Sequence, residues 1–382
     1  MAATENMRKS ASPAGAIIAA ALALPGVMAH AETVPEEGTL SVKYLRYQDE
    51  QPGLKRVQVS APSLYLLAPL SPRWVIEGSA VSDAVSGASP RYHTAISGAS
   101  KMQDERHAGD AKLTHYDGHN SYGVGVALSG EHDYQGRSVS VDAAFGSEDS
   151  NRTWNLGLGL SSDKISSRDN LLLHEKRHTT ETMVGVTQAL STVDLVQVNL
   201  SFNRGTGYFS DPYKSLDVRP NARNQSILLT RWNHHFVGLG STLRASYRYY
   251  SDTFGIRAHT VGAEWVQPLG ARWTLTPSLR LYSQSAASFY FDPVYDPNIG
   301  APYPAGYFTK PPTYSSADQR LSAFGAVTAG VKLAWQAQRN WLFDLKFDRY
   351  QQRSSWRVGG TGSIGLAPFN ATTVQVGAST HF

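Results

Sequence analysis

The stretch Leu321-Ser-Ala-Phe-Gly-Ala-Val-Thr-Ala-Gly-Val-Lys-Leu-Ala-Trp335 carries an apolar or small side chain at every second position. After residues 336–340 the alternation resumes, with apolar side chains at Trp341, Phe343, Leu345 and Phe347. Successive side chains of a β-strand point to opposite faces, so this period of two predicts a hairpin with one apolar face and one polar face.

The same alternation, bounded by Gly, Pro, Asn and Asp, recurs along the whole chain. It predicts about sixteen strands, with about fourteen or about eighteen as the alternatives. The expected strand cores are residues 39–48, 55–67, 73–82, 109–117, 121–131, 137–147, 152–162, 179–190, 194–204, 225–236, 241–250, 258–267, 272–284, 319–336, 340–350 and 370–382.

The links between these strands are alternately short and long. The longest are expected at residues 83–108, 161–179, 205–223, 285–319 and 351–369. Short turns on one rim and long loops on the other are typical of a transmembrane antiparallel β-barrel, whose closure pairs every strand edge. The sequence therefore predicts an all-β fold with a single barrel, and a soluble β-sandwich is the alternative.

The first residues have the pattern of a secretory signal peptide. Arg8 and Lys9 precede an apolar run at residues 14–28, and Ala29-His30-Ala31 has small residues where cleavage would occur. The apolar run is shorter than the ~18–20 residues that a spanning helix needs. We therefore expect residues 1–31 to be a signal peptide and residues 32–382 to form the barrel domain.

The composition excludes several kinds of chemistry. The chain has no cysteine, which removes disulfides, thiol catalysis and cysteine-ligated metals. Without Arg8, Lys9 and Glu5, the net charge of +4 becomes +4 − 2 + 1 = +3, too small to favour nucleic acid as a partner. Neither a cofactor nor a metal ion is predicted.

Six of the eight tryptophans lie beside the predicted short turns: Trp74, Trp154, Trp265, Trp273, Trp335 and Trp341. An indole has an apolar body and one N–H donor, so such residues collect where a membrane meets water. Tryptophans of a soluble sandwich core would instead be distributed toward the strand middles. The pattern predicts an aromatic belt on the outside of the barrel at its short-turn rim.

Charged side chains alternate with the apolar residues of the predicted strands between residues 241 and 350. Because a charge facing lipid costs roughly 2–4 kcal/mol near the bilayer midplane, these residues are expected on the inner face. The candidate pore-lining residues are Arg244, Arg248, Glu264, Arg280, Lys332, Asp344, Lys346 and Asp348. Cross-strand ion pairing that only fills a closed barrel is the alternative interpretation.

The last strand resembles the recognition signal of Gram-negative outer-membrane β-barrels. Its outer side carries Val374 and Val376, followed by Gly377 and the terminal aromatic Phe382. This resemblance implies insertion into outer-membrane lipid by the barrel-assembly machinery. We expect these four residues to form the assembly signal.

Several loop segments resemble a family of uncharacterised Gram-negative proteins that is catalogued as a domain of unknown function. Two of these segments are Arg204-Gly-Thr-Gly-Tyr-Phe-Ser-Asp-Pro-Tyr-Lys214 and Arg231-Trp-Asn-His-His-Phe236, and others lie at residues 81–91, 104–110, 246–260 and 276–291. The resemblance implies an outer-membrane location and assigns no catalytic residue. It also suggests a periplasmic partner, for which a redox protein is the candidate.

Three functions are compatible with these features. The favoured one is a channel or transporter for small polar or charged solutes, which is not an enzyme. The second is a plugged barrel that serves as a scaffold for a periplasmic partner. The third is an outer-membrane hydrolase in which His235, on the inner face, would act with Ser246 or Ser278.

Overall fold

The computed structural model describes residues 33–88, 101–214, 216–293, 303–304 and 306–382. The side chains of residues 85–88 and 101–104 are not part of this description. The predicted signal peptide at residues 1–31 lies outside the described residues. Within the described ranges, no helix has both the length and the apolar character needed to cross a membrane.

Nearly all of the regular structure is β-strand. The strands are β1 (Thr39–Gln51), β2 (Leu54–Ser71), β3 (Trp74–Ala88), β4 (Lys101–Asp117), β5 (Asn120–Gly130), β6 (Tyr134–Gly146), β7 (Arg152–Ser166), β8 (His174–Ala189), β9 (Asp194–Gly207), β10 (Ala222–Phe236), β11 (Ser241–Asp252), β12 (Arg257–Leu269), β13 (Trp273–Gln284), β14 (Phe324–Gln338), β15 (Trp341–Arg353) and β16 (Phe369–His381).

The sheet closes on itself. Each strand pairs with its neighbours in the chain, and β1 pairs with β16 in an antiparallel register that begins with Thr39 opposite His381. Closure leaves no strand edge without a hydrogen-bonding partner. The structure confirms the prediction of an all-β antiparallel barrel with sixteen strands.

The two ends of the barrel differ in the length of their links. The end with the short links after β2, β4, β6, β8, β10, β12 and β14 is called the turn end. The opposite end is called the loop end. The loop-end links used below are L1 (131–133), L2 (167–173), L3 (208–221), L4 (253–256), L5 (285–323) and L6 (354–368).

Several strands extend farther toward the loop end than the sequence predicted. β3 continues to Ala88, β4 starts at Lys101 and β8 starts at His174, so two of the expected long loops were predicted too long. The extension of β8, His174-Glu-Lys-Arg-His178, carries polar side chains on both faces, which removes the alternation although the backbone pairing with β7 continues. In contrast, β14 starts later than predicted, at Phe324, because residues 319–321 form a 3-10 turn.

Side-chain exposure distinguishes the two faces of the wall. On β7 the exposed apolar residues Trp154, Leu156, Leu158 and Leu160 occupy every second position. Such positions define the outer face, and the residues between them define the inner face. Exposed apolar side chains also continue on the outer face of β5, β6, β9, β12, β13 and β15, so the outside carries an apolar band.

Candidate functional site

The eight predicted pore-lining residues all lie on the inner face of five consecutive strands, β11 to β15. Their alternation partners on the outer face are exposed apolar residues such as Val261, Leu279 and Phe347. The register places Arg244 opposite Glu264, and Lys332 opposite Lys346. The backbone therefore brings the predicted set together as one charged wall.

Several of these side chains are in contact with water although they face inward. Arg244, Glu264 and Arg280 are exposed, which requires accessible space inside the barrel along β11 to β13. Lys346 forms an ion pair with Asp348, with 3.0 Å between Nζ and Oδ2, and Asp344 is buried. The wall thus contains charged side chains that contact water and, on β15, one ion pair between neighbouring side chains.

A second charged wall, which sequence reasoning missed, lies on the opposite side of the barrel. It contains Glu77 of β3, Asp110 and Lys112 of β4 and Asp142 of β6. Lys112 pairs with Asp142 at 2.9 Å, and Glu77 accepts a hydrogen bond from the Tyr65 hydroxyl at 3.0 Å. We call these four residues the acid-rich wall.

The acid-rich wall faces three arginines. In a ring of sixteen strands, β3 and β4 are eight positions from β11 and β12, which is half of the circumference. Arg244, Arg248 and Arg280, with Glu264, form what we call the arginine-rich wall. All eight residues lie within seven residues of the turn-end boundary of their strands, so the two walls are at a similar depth. An electric field therefore crosses the lumen at this level.

Glycines of the inner face make room for polar side chains of the adjacent strands. A Cβ at Gly377 would lie 2.6 Å from Oδ2 of Asp344, and one at Gly262 would lie 2.8 Å from Oγ of Ser246. Gly123 stands in the same way beside Lys112 and Asp142. These polar side chains therefore lie flat against the wall.

At the loop end, L3 and L5 are joined by buried ion pairs, which we call the loop-end network. At its centre Asp318 is fully buried and contacts Lys214 Nζ at 3.1 Å and Arg219 Nη2 at 2.8 Å, and it also pairs with Arg320. Around it, Asp211 pairs with Arg320 and Asp217 pairs with Arg219. Three carboxylates are thus matched by three cations.

The acidic and basic groups of the loop-end network keep one another ionised. Burial alone would raise the pKa of the Asp318 carboxyl, but Arg320, Lys214 and Arg219 hold that pKa well below its ordinary value. Burial would lower the pKa of Arg320, yet Asp318 raises it above its ordinary value. Separating the two loops would leave buried charges without partners, which is energetically costly. The network therefore holds L3 and L5 together.

An apolar cluster and a further hydrogen bond also connect the loops at this end. Phe254 of L4 is 1% exposed and packs with Leu321 and Ala287 of L5, and its ring lies edge-on to Phe209 of L3. The Tyr213 hydroxyl of L3 hydrogen bonds to Asp133 of L1. L3 therefore extends past the ends of β7 and β8 to the turn between β5 and β6.

The predicted aromatic belt lies at the turn end. Trp74, Trp154, Trp273, Trp335 and Trp341 are exposed on the outer face, and Trp265 is partly covered. The rings of Trp273 and Trp335 stack with 5.7 Å between their centroids, and Trp265 lies 5.1 Å from the ring of Phe236. These contacts form a row of aromatic side chains along β12 to β15.

The four residues of the predicted assembly signal are in or beside β16. Val374, Val376 and Phe382 are exposed, whereas Gly377 faces inward beside Asp344. The ring of Phe382 lies over Gly38, and the two backbones exchange hydrogen bonds of 2.8 and 3.1 Å. The inner position of Gly377 therefore has a packing explanation of its own.

The structure does not bring His235 of β10 to Ser246, one of the two serines of the hydrolase prediction. His234 lies on the outer face, with Nδ1 2.8 Å from Oδ1 of Asp194, and Nδ1 of His235 lies 3.0 Å from Oγ1 of Thr242. Ser246 pairs with Arg231, four residues from Thr242 along β11. That spacing corresponds to ~13 Å, far beyond hydrogen-bond reach. The required serine–histidine contact is therefore missing for this pair.

Solved structures with a similar fold include three bacterial proteins. CdiB from Acinetobacter baumannii has 9% identity and a TM-score of 0.49, over 88% of this chain and 60% of that chain. A bacterial polysaccharide outer membrane secretin has 9% identity and a TM-score of 0.51, over 91% of this chain and 99% of that chain. The outer membrane protein OpdK from Pseudomonas aeruginosa has 9% identity and a TM-score of 0.44, over 91% of this chain and 100% of that chain.

These likenesses concern the fold alone, because the identities are so low. The chain spans 60% of the length of CdiB. The secretin, which it matches over nearly the whole of both chains, supports the assignment to outer-membrane-type barrels. Among curated proteins, none matches this sequence significantly.

The sequence also matches a family model along most of its length. The family is described as a protein of unknown function (DUF3570), and the matches cover residues 93–172 and 167–378. They include all of β4 to β15 and most of β16. This confirms the resemblance seen in the loop segments, and the chain belongs to the DUF3570 family.

Proposed function

We propose that the protein is a barrel of the Gram-negative outer membrane that conducts small polar or charged solutes through its lumen. The observation that carries this proposal is the pair of oppositely charged walls. Arg244 and Arg280 are exposed on one side of the lumen, and Asp110 is exposed on the other. Exposed charges on the inside of a barrel need water there, and water is what a polar solute needs to enter.

The width and the electrostatics of the lumen favour small polar or charged solutes. About sixteen strands enclose a space wide enough for an aqueous channel. Facing rows of opposite charge within a low-dielectric wall focus the field, order water and orient solutes that carry a dipole or charge. An apolar solute would gain nothing from such a field and would lose contact with apolar surroundings. The proposal assigns no catalytic step to the protein.

The outer surface supports the membrane location. In this arrangement the apolar band contacts lipid, the tryptophans at the turn end form the aromatic belt at the periplasmic interface, and the loop end faces the cell exterior. The barrel-assembly machinery would recognise Val374, Val376, Gly377 and Phe382 at the periplasmic end of β16. No nucleic acid, cofactor or metal has a role in this function.

Two matched double variants test the channel. R244Q/R280Q removes positive charge from the arginine-rich wall, and E77Q/D110N removes negative charge from the acid-rich wall. The refolded proteins are measured in planar bilayers under a salt gradient. We expect stable conductance steps, with the reversal potential shifted toward cation selectivity in the first variant and toward anion selectivity in the second. Shifts in the same direction, or none, would contradict the assignment.

A closed barrel that serves as a scaffold for a periplasmic partner is the second candidate. It is supported by the loop-end network, because L3, L4 and L5 are fastened to one another by buried ion pairs and apolar contacts. The variant D318A, which breaks the network, separates the two functions. A channel closed by its loops gains conductance in D318A, whereas a scaffold with a filled lumen remains silent in both forms.

A further inference from the structure

A polar pocket that contains two opposed lysines lies at the loop end, beside β6, β7 and β8. It has a volume of about 350 Å³, which is within the range of small-ligand sites. The polar side chains that line it include His132, Gln135, Lys164, Ser166, His174 and Lys176. Lys164 and Lys176 are register partners on β7 and β8, so two like charges stand directly opposite each other. Such a pair is unfavourable unless an anion lies between the charges.

The pocket borders directly on the apolar band. On β7, Lys164 continues the outer row of Trp154, Leu156, Leu158 and Leu160. The ten residue steps from Trp154 to Lys164 rise ~25 Å along the barrel axis for a strand tilted by ~40°, which matches the height of a membrane-facing apolar band. The two lysines therefore stand at the level where the apolar layer ends and lipid headgroups begin.

Two neighbouring strands repeat this arrangement. Arg137 follows Val139 and Val141 on the outer face of β6, and Arg204 follows Phe202 on β9. Both arginines are exposed, as are Lys164 and Lys176. Each of the four strands β6 to β9 thus carries an outward-facing cation beyond its apolar residues, with Arg204 opposite Thr180, four residues from Lys176.

These four cations have no ion-pair partner in the described part of the chain. In that part of the chain, the side chains of Arg137, Lys164, Lys176 and Arg204 take part in no ion pair or hydrogen bond. Other cations toward the loop end are paired, such as Arg349 with Glu50 at 2.7 Å. Two acids, Asp133 and Glu175, also line the pocket and offset the charges of its two lysines, so the excess of positive charge comes from Arg137 and Arg204 on the adjacent strands. This excess of positive charge on the outer face attracts an external anion.

We propose that the pocket binds the phosphate-bearing headgroup of a glycolipid in the outer leaflet of the membrane. Lys164 and Lys176 contact a phosphate, and Arg137 and Arg204 interact with the charge of adjacent headgroups. Gln135, Ser166 and the two histidines supply hydrogen bonds for sugar hydroxyls. The acyl chains lie along Leu160 and Val139, which is why the site suits a lipid and not a soluble phosphate. The proposal holds whether or not the lumen conducts.

The test uses the folded full-length barrel and vesicles of phosphatidylethanolamine, with or without a bisphosphorylated glucosamine lipid. K164Q/K176Q is expected to bind that lipid roughly 30-fold more weakly than the wild type. K164R/K176R, which keeps the charge, is expected to retain binding. The control R46Q/K55Q removes two exposed cations from β1 and β2 and is expected to bind like the wild type.

Two outcomes would overturn the proposal. One is equal binding by K164Q/K176Q and R46Q/K55Q, since the lysines of the pocket would then have no special role. The other is complete competition by inorganic phosphate, since the site would then recognise a free anion and not a lipid. Loss of binding in K164R/K176R as well would assign the lysines to the local structure of the rim and would also count against it.

Discussion

Gly377 and Asp344 show how single residues shape the inner wall. The two residues are register partners on β16 and β15, and the carboxylate occupies the space that a larger residue would fill. Asp344 is buried and its Oδ1 has no hydrogen-bond partner among the described residues. The glycine is therefore required by the close approach of a neighbouring side chain.

Gly377→Ala is expected to destabilise the folded barrel by about 1–3 kcal/mol, because the new Cβ would be 2.6 Å from the Asp344 carboxylate. The measurement is the free energy of unfolding in urea. In the D344A background the same substitution should cost less, because the clash is removed. Gly130→Ala is the control, since nothing lies within 4 Å of that position. Equal costs in both backgrounds would disprove the explanation.

Phe382 can be tested separately. Its ring covers Gly38 beside the β1–β16 pairing, and its exposed position also suits recognition during assembly. Phe382→Ala is expected to reduce the fraction of heat-modifiable, folded barrel in cells several-fold, whereas Phe382→Tyr keeps an aromatic ring and should assemble normally. If the two variants behave alike, the aromatic ring is not the feature that matters.

At the scale of elements, the loop end is organised by charges that are far apart in sequence. Arg219 and Asp318 are separated by 99 residues, as are Asp217 and Ser316. Because L3 and L5 meet only after β10 to β13 are aligned, no local pattern could predict these pairs.

The substitution D318N is expected to loosen L3 and L5. It leaves Lys214, Arg219 and Arg320 without their common partner, which costs about 3–5 kcal/mol for a broken buried pair. Amide hydrogen exchange in L3 and L5 should become faster, while exchange in the middle of β14 remains unchanged. Asp149→Asn, which removes the same charge from an exposed turn, is the control. Unchanged exchange in D318N would show that Asp318 does not hold L3 and L5 together.

The pH dependence of the loops follows from the same carboxyl. Since the pKa of Asp318 is lower in the folded than in the unfolded protein, its contribution is fully present above the unfolded value of 3.8 and disappears as the pH falls through the folded value. Hydrogen exchange of L5, corrected for its intrinsic pH dependence, should therefore show equal protection at about pH 7 and about pH 5. Protection that declines between these values would contradict a lowered pKa.

At the scale of the whole molecule, closure of the ring decides which strands face each other. The hairpins, the short turns and the count of sixteen strands were predictable, because alternation and turn residues are local signals. The arginine-rich wall was predictable for the same reason. The acid-rich wall was missed because its strands, β3, β4 and β6, come to lie across the barrel from the arginine-rich wall only when the ring closes. The alternation of Asp110 and Lys112 with Ala111 and Leu113 was the available signal.

A disulfide across the closing seam tests the ring directly. Ser41 and Ser379 are register partners on β1 and β16, with 2.6 Å between their hydroxyl oxygens, and the native chain has no cysteine to interfere. Oxidised S41C/S379C should keep the two strands together after heating in detergent, with a gain of about 2–5 kcal/mol. The reduced protein is the control. Failure of the two cysteines to cross-link would contradict the register.

The glycines that let carboxylates lie flat against the wall also affect the inner width of the barrel. Strand number fixes the circumference of the wall, but the free bore also depends on how far the inner side chains project toward the axis. A methyl group added at Gly330 or Gly377 would push Asp348 or Asp344 away from the wall. Single substitutions at these glycines would therefore change the inner width of the barrel without any change in the number or tilt of the strands.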